Sequence, residues 1–393
     1  MKWEKVRLED CCYSISDGDH QPPPKAQQGI PFVTISNINS MNQLDFSDTM
    51  FVPKEYYQSL DEKRKVRKGD VLYSVVGSFG IPVLIKEERP FVFQRHIAIL
   101  RPKEDIVDSG FLFYTMLNRD FYAKADAVAI GAAQRTVSLG SLRNIKIDVP
   151  SLESQKHIAD ILSAYDDLIE NNQKQIKLLE EAAQRLYKEW FVDLHFPGHE
   201  NTKIVDGVPE GWNEKTLSQV ANVIMGQSPK SEFYNSEKRG LPFHQGVGSY
   251  GVRFVMDDIY STSYTRIAEP NSILFSVRAP VGRLNITKNK VVIGRGLAAI
   301  NQTDGCQSYL YYLLKNKFFK DNIVGNGSIF ASVSKDKLLN QKFLIPERNL
   351  MMQFEKIVSQ IDKQIENLDS KNKKLIEARD RLLPKLMSGE VEV

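Results

Sequence analysis

The side chains best suited to chemistry in this sequence are arginines and glutamines set among glycines. Arg278 and Arg283 fall in RAPVGR, Arg295 in GRG, and Gln134 and Arg135 stand side by side in GAAQRT. Glycine lets a backbone approach a ligand closely. Arginine and glutamine can each bond a base edge twice, to guanine and adenine respectively, in the major groove of DNA. An exposed arginine also serves as a phosphate contact or as a solvated charge. Arg95 and Arg295 flank apolar strands and suit structural ion pairs equally well. The candidate DNA contacts are Ser78, Lys86, Arg95, Gln134 and Arg135 in the first part of the chain, and Gln245, Arg278, Arg283, Lys288 and Arg295 in the second.

The residue patterns of several enzyme classes are missing. There is no Gly-x4-Gly-Lys-Ser/Thr phosphate loop, no HExxH and no GxSxG. No Asn/Asp-Pro-Pro-aromatic motif of an amino-methyltransferase occurs either. The histidines His20, His96, His157, His195, His199 and His244 are scattered. His195 and His199 flank FPG in a linker-like stretch and read as surface residues. Cys11, Cys12 and Cys306 form no CxxC and are odd in number, which supports neither a disulfide framework nor a zinc site. No catalytic residue and no metal site is expected.

A chain of 393 residues, 42% hydrophobic and 26% charged, predicts two or three domains with proper cores. No apolar run of about 18 residues and no apolar segment after the charged start MKWEKVRLED is present. The expectation is a cytoplasmic protein with no membrane association. The net charge of +3 is uneven: residues 151–200 carry 5 basic and 10 acidic groups, residues 201–348 carry 19 and 12. A basic second half suits a polyanionic partner, or simply keeps the surface soluble.

The chain is built twice. From Pro150 and Pro346 onward an offset of 196 holds without a gap: Ile169-Glu170-Asn171 falls on Ile365-Glu366-Asn367, and Arg185-Leu186 on Arg381-Leu382. Upstream the match continues with small gaps. Trp3 and Leu8 correspond to Trp212 and Leu217, GIPF (29–32) to GLPF (240–243), Gly80 to Gly282, and Arg95 to Arg295. The globular parts have drifted further than the segments that follow them, as expected of similar scaffolds with different local tasks.

Those following segments read as long helices. Residues 162, 165, 169, 172, 176, 179, 183, 186 and 190 alternate in steps of 3 and 4, as do 358, 361, 365, 368, 372, 375, 379, 382 and 386. This is the seam of a coiled coil, and about 40 helical residues span roughly 60 Å. Each seam holds one asparagine, Asn172 and Asn372. An antiparallel pair with these two facing each other gives partners that sum to 544: Ile169 with Leu375, Ile176 with Leu368, Leu179 with Ile365, Leu186 with Val358. The competing arrangement is two independent amphipathic helices, each packed on its own module.

The modules read as mixed α/β, with strands at 30–35, 70–76, 82–86, 91–100 and 145–149 and a helix at 109–125. The second repeats the plan with its helix at 308–324. The expected fold is α/β (α+β) with internal duplication. Its boundaries are 1–150 for the first module, 151–198 for the first helix, 199–348 for the second module and 349–393 for the second helix.

Over essentially its whole length the sequence resembles the specificity subunits of type I restriction-modification systems. The resemblance rests on ISDGDHQPP, MGQSPKSEFYN, ILFSVRAPVGRLNIT with IGRGLAAI, the P-x-L-E-x-Q-K-x-I-A-x-I-L opening of the first helix, and KEWFVDLHFPG. It implies two target recognition domains that each read half of a split target in double-stranded DNA. The paired helices act as ruler and as dock for two methyltransferase subunits, through which two restriction subunits join. S-adenosylmethionine, ATP and Mg then belong to partner subunits, and this chain carries no cofactor. One departure stands out: GNGSIFAS lacks the glutamine of the equivalent GAAQRT. A structural adaptor binding proteins is the alternative reading, and an unfamiliar nuclease or modification enzyme is the third.

Overall fold

A computed structural model describes residues 3–18, 20–39, 41–132, 134–318 and 332–393. The chain forms two compact units, one of residues 1–172 with 370–393 and one of residues 173–369. These bounds differ from 1–150, 151–198, 199–348 and 349–393, because each unit takes a module together with part of both long helices.

In the first unit Glu4–Arg7 pairs antiparallel with Lys146–Val149, joining the two ends of the module. A four-stranded antiparallel sheet follows the order Cys12–Asp17, Ile97–Pro102, Val71–Ser74, Pro82–Leu84. Its central strand VLYS is buried on both faces. Val71 and Tyr73 enter the core with Phe111, Leu112, Ile158 and Leu383, while Leu72 packs with Val33, Phe91 and Ile99 on the other side. That double burial explains why the run is apolar throughout rather than alternating. A second sheet holds Met50–Val52, Ile30–Val33 and Val92–Phe93.

Two expectations change here. The run 91–100 is two strands, because Val92–Phe93 pairs parallel with Ile30–Val33 while Ile97–Pro102 pairs with the other sheet. Between them Gln94–His96 forms a turn closed by the Ile97 amide donating to the Gln94 carbonyl at 3.1 Å. The helix expected at 109–125 is also two, Ser109–Leu117 and Arg119–Ala127, because Asn118 is extended (ψ 140°).

The second unit repeats the plan. Asn213–Thr216 pairs with Lys342–Ile345. The four-stranded sheet runs Ala221–Met225, Leu297–Gln302, Ile273–Ser276, Leu284–Ile286. Gln307–Phe318 is the module's helix, and the remainder of the stretch expected at 308–324 lies outside the described residues.

The long helices span Leu152–Phe191 and Arg348–Met387, 40 residues each. They pair antiparallel. In the first unit Asn172 Nδ2 donates to Asn372 Oδ1 at 2.7 Å, and Asn372 Nδ2 to the Ile169 carbonyl at 3.3 Å. Ile169 is fully buried and Leu375 half-buried. Ile158 and Leu162 share a core with Leu382, Leu383 and Leu386. In the second unit Ile176 and Leu179 cluster with Ile365 and Leu368, and Leu186 shares a core with Val358. Trp190 packs edge-on against Phe354, with ring centroids 5.9 Å apart. These contacts follow the sum of 544. Because both helices carry module-facing residues as well as a seam, the arrangement of independent helices does not apply.

Candidate nucleic-acid interface

Each module builds one of its rims from the same backbone device. In the first, buried Ser74 donates its hydroxyl to the Ser78 carbonyl at 2.9 Å and accepts from the Ile81 amide at 2.9 Å. In the second, Ser276 donates to the Pro280 carbonyl at 2.6 Å and accepts from the Arg283 amide at 2.8 Å. A loop closed around one hydroxyl thus ends the central strand in both. Gly80 and Gly282 complete it at φ +97° and +89°, a region that glycine enters without strain.

Two further segments join each loop. The chain after the first sheet strand crosses the turn before the 97–102 or 297–302 strand. A Cβ on Gly18 would lie 2.0 Å from the Phe93 carbonyl oxygen, and one on Gly226 would lie 2.1 Å from that of Gly294, so only glycine allows the crossing. The last segment bridges the loop itself, Val76 to Thr136 and Arg278 to Ser332. The result is a cleft at equivalent places in the two modules. The first, of about 290 Å³, is lined by Asp17, His20, Arg95, His96 and Gln134 among others. The second, of about 170 Å³, is lined by Gln245, Ser276, Arg278 and Arg295.

The structure sorts the predicted contacts. Arg95, Gln134, Gln245, Arg278 and Arg295 are exposed at the clefts, and among the described residues none of the three arginine side chains has a carboxylate partner. Structural ion pairs for Arg95 and Arg295 are therefore not seen. Arg278 stands where the first module has Val76, and Arg295 where it has Arg95. Ser78 is exposed at its turn but lines neither cleft.

Four further candidates lie away from the two clefts or are held by other groups. Lys86 lies 2.9 Å from Asp167 and 3.8 Å from Glu170 on the first long helix. Lys288 lies 2.7 Å from Asp369 on the second and 4.4 Å above the Phe254 ring. Both lysines thus join a module to a helix. The Arg135 guanidinium is held within its own module, 2.5 Å from the Asp126 carboxylate and 2.7 Å from its carbonyl oxygen. Arg283 opens instead on a separate cleft of about 490 Å³ with Glu180, Asn285 and Lys315. The loop GNGSIFAS, apart from Ser332, lies outside the described residues.

Other residues escaped sequence reasoning. Asp17, His20 and His96 share the first cleft, and burial together with neighbouring Arg95 lowers the His96 pKa. Arg253 is 2% exposed and donates to Asp362 at 2.6 Å and Glu180 at 3.4 Å, with its guanidinium 3.7 Å over Tyr311. Burial alone would lower its pKa, but Tyr311, Tyr312, Asp362 and Glu180 outweigh that and raise it. Nothing in VRFVM marks this role. His195 lies 2.8 Å from Glu189, and the described residues contain no cluster of three or more potential metal ligands.

The family model of the type I restriction modification DNA specificity domain matches residues 1–181 and 209–378. This chain belongs to that family. Across its full length it is 30% identical to a putative type I restriction enzyme MjaX specificity subunit of Methanocaldococcus jannaschii, covering 94% of that protein. It is 24% identical to the type I restriction enzyme HindI specificity subunit of Haemophilus influenzae, over 99% of both chains. The crystal structure of a type I restriction-modification system S subunit from M. genitalium shares the fold, with a TM-score of 0.60 at 17% identity over 98% of this chain and 96% of that one. The DNA specificity family thus accounts for the duplication, since both copies of the rim fall within the matched segments.

Proposed function

We propose that this chain is the DNA specificity subunit of a type I restriction-modification complex, in which each module reads one half of a bipartite target. The observation that carries the reading is the pair of equivalent clefts: one backbone scaffold, used twice, presents different side chains. The first offers Arg95 and Gln134, the second Gln245, Arg278 and Arg295. A cleft of conserved construction with exchanged contents fits readers of an asymmetric sequence.

The long helices set the distance between half-sites and bind the methyltransferase subunits, two per complex, through which two restriction subunits attach. The chain itself performs recognition and no chemistry. S-adenosylmethionine, ATP and Mg act on the partner subunits, and the complex works in the cytoplasm. Among the described residues no helix is long and apolar enough to cross a membrane.

The test is methylation by the assembled complex with S-adenosylmethionine, read by methylome sequencing. Replacing residues 1–150 by another such module must change one half-site and leave the other. A swap that alters both half-sites together sinks the two-reader scheme, and modification by the purified chain alone sinks the non-catalytic role.

A further inference from the structure

The first cleft contains a carboxylate, which is unexpected on a surface that meets a polyanion. Asp17 ends its sheet strand opposite Ala98, and the close crossing at Gly18 folds the chain back. His20 then lies with Nε2 at 2.9 Å from Asp17 Oδ2. The Asp17 side chain is 17% exposed and the imidazole 55% exposed, so the carboxylate sits behind the ring. An ionised carboxylate only accepts hydrogen bonds, so Nε2 must carry the proton. In the neutral form of the ring Nδ1 is then the acceptor left for another partner. In the major groove an acceptor is met by the amino group of adenine N6 or cytosine N4.

We infer that His20, its tautomer set by Asp17, reads an amino-bearing base in the half-site of the first module. The inference rests on the DNA-specificity reading above. Asp17 acts as a positioning residue and His20 makes the contact, beside Arg95 and Gln134 in the same cleft. Among the described residues that line the second cleft there is no counterpart. Met225 occupies the strand position of Asp17, opposite Ala298, and Ser228 accepts from the Arg295 amide at 3.3 Å. This readout therefore belongs to one half-site only.

The experiment uses the complex with its methyltransferase partner, S-adenosylmethionine and a library of bipartite sites at about pH 8, where an ordinary imidazole is neutral. His20→Ala is expected to relax one position of the first half-site about tenfold, leaving the second half-site and the salt dependence unchanged. Asp17→Asn offers the ring both a donor and an acceptor, so either tautomer is held. The preference for an amino-bearing base over guanine at that position then narrows toward parity, which a merely structural role would not produce. Uniform weakening across all sequences by His20→Ala marks a phosphate contact and overturns the inference, as does an undiminished preference in Asp17→Asn. Arg278→Ala is the control in the other module. If it alters the second half-site while His20→Ala alters nothing, only this inference fails. If the unmodified complex selects no bipartite site, the specificity reading itself fails. Thermal unfolding of each variant separates misfolding from lost recognition.

Discussion

The two units solve the same electrostatic problem from opposite sides. Asp166 and Asp362 are equivalent residues on the two long helices, 196 positions apart. In the first unit Asp166 accepts from Tyr114 of the module at 2.7 Å and lies 2.5 Å from Arg379 on the other helix. In the second unit the position equivalent to Arg379 is Ala183, which is fully buried. There the module supplies the cation: Arg253 reaches Asp362 and Glu180, with Tyr312 in place of Tyr114. The duplication kept the acid and moved its partner from helix to module. A helix seam can thus stay in register while the module packed on it changes.

This contrast predicts unequal damage. Arg253→Ala leaves two carboxylates without their buried cation, and breaking a buried pair costs about 3–5 kcal/mol. Glu180 and Asp362 are 18% and 23% exposed, which favours the lower end. Arg379→Ala removes a cation that is itself 17% exposed and leaves Asp166 the Tyr114 hydroxyl, so about 1–2 kcal/mol is expected. Hydrogen exchange on the full chain checks both. Arg253→Ala must loosen residues 173–369 and spare the first unit. Equal loosening of both units by either variant would break the comparison.

The seam asparagines give a second, sharper case. Asn172→Leu leaves the buried Asn372 Oδ1 without its donor, while Asn372 Nδ2 keeps the Ile169 carbonyl, and should cost about 1–3 kcal/mol. The double change to leucine replaces both partners and should be close to neutral in unfolding stability. A double variant as unstable as the single would show that the asparagines matter through something other than their mutual bond.

The clefts differ as the docking does. Arg278→Ala should cost about 1–3 kcal/mol in binding and relax one base position if the side chain reads a guanine. Val76→Ala, at the equivalent place in the first module, should leave sequence preference unchanged. Measuring methylation of both half-sites in each variant tests the pair. A uniform loss across sequences in Arg278→Ala would assign the side chain to a phosphate.

How much of this was readable in advance depends on range. The seam was readable because it rests on periodicity and on identities at one offset; Asn172 and Asn372 needed nothing beyond the chain itself. The duplicated strands were readable for the same reason. The clefts were legible only in part. Arg278 and Gln134 stand near glycines that signal tight turns, but the turn at Gln94–His96 lies inside a run, FVFQRHIAIL, that reads as one strand and holds no glycine or proline. Its strands separate because they belong to different sheets, a fact of tertiary pairing. Arg253 was invisible, since nothing local tells a buried arginine from an exposed one. The partners of Lys86 and Lys288 were not legible for a related reason: a lysine at a strand end offers the same sequence to a phosphate and to a helix carboxylate.

Those two lysines supply the smallest effect and the cleanest separation of docking from reading. They are equivalent, each six residues after the glycine that closes its loop, Gly80 and Gly282. Lys86 is 50% exposed beside Asp167, whereas Lys288 is 17% exposed, with Asp369 at 2.7 Å and the Phe254 ring beneath it. An exposed ion pair contributes about 0–1 kcal/mol, and a cation over a ring adds more as it is desolvated. Lys288→Met should therefore destabilise its unit by about 1 kcal/mol, and Lys86→Met by no more than about 0.5 kcal/mol. Neither should reduce the slope of DNA affinity against salt, because a lysine committed to a helix releases no counterion from DNA. A slope that falls by about one unit in either variant would return that lysine to the DNA-binding surface.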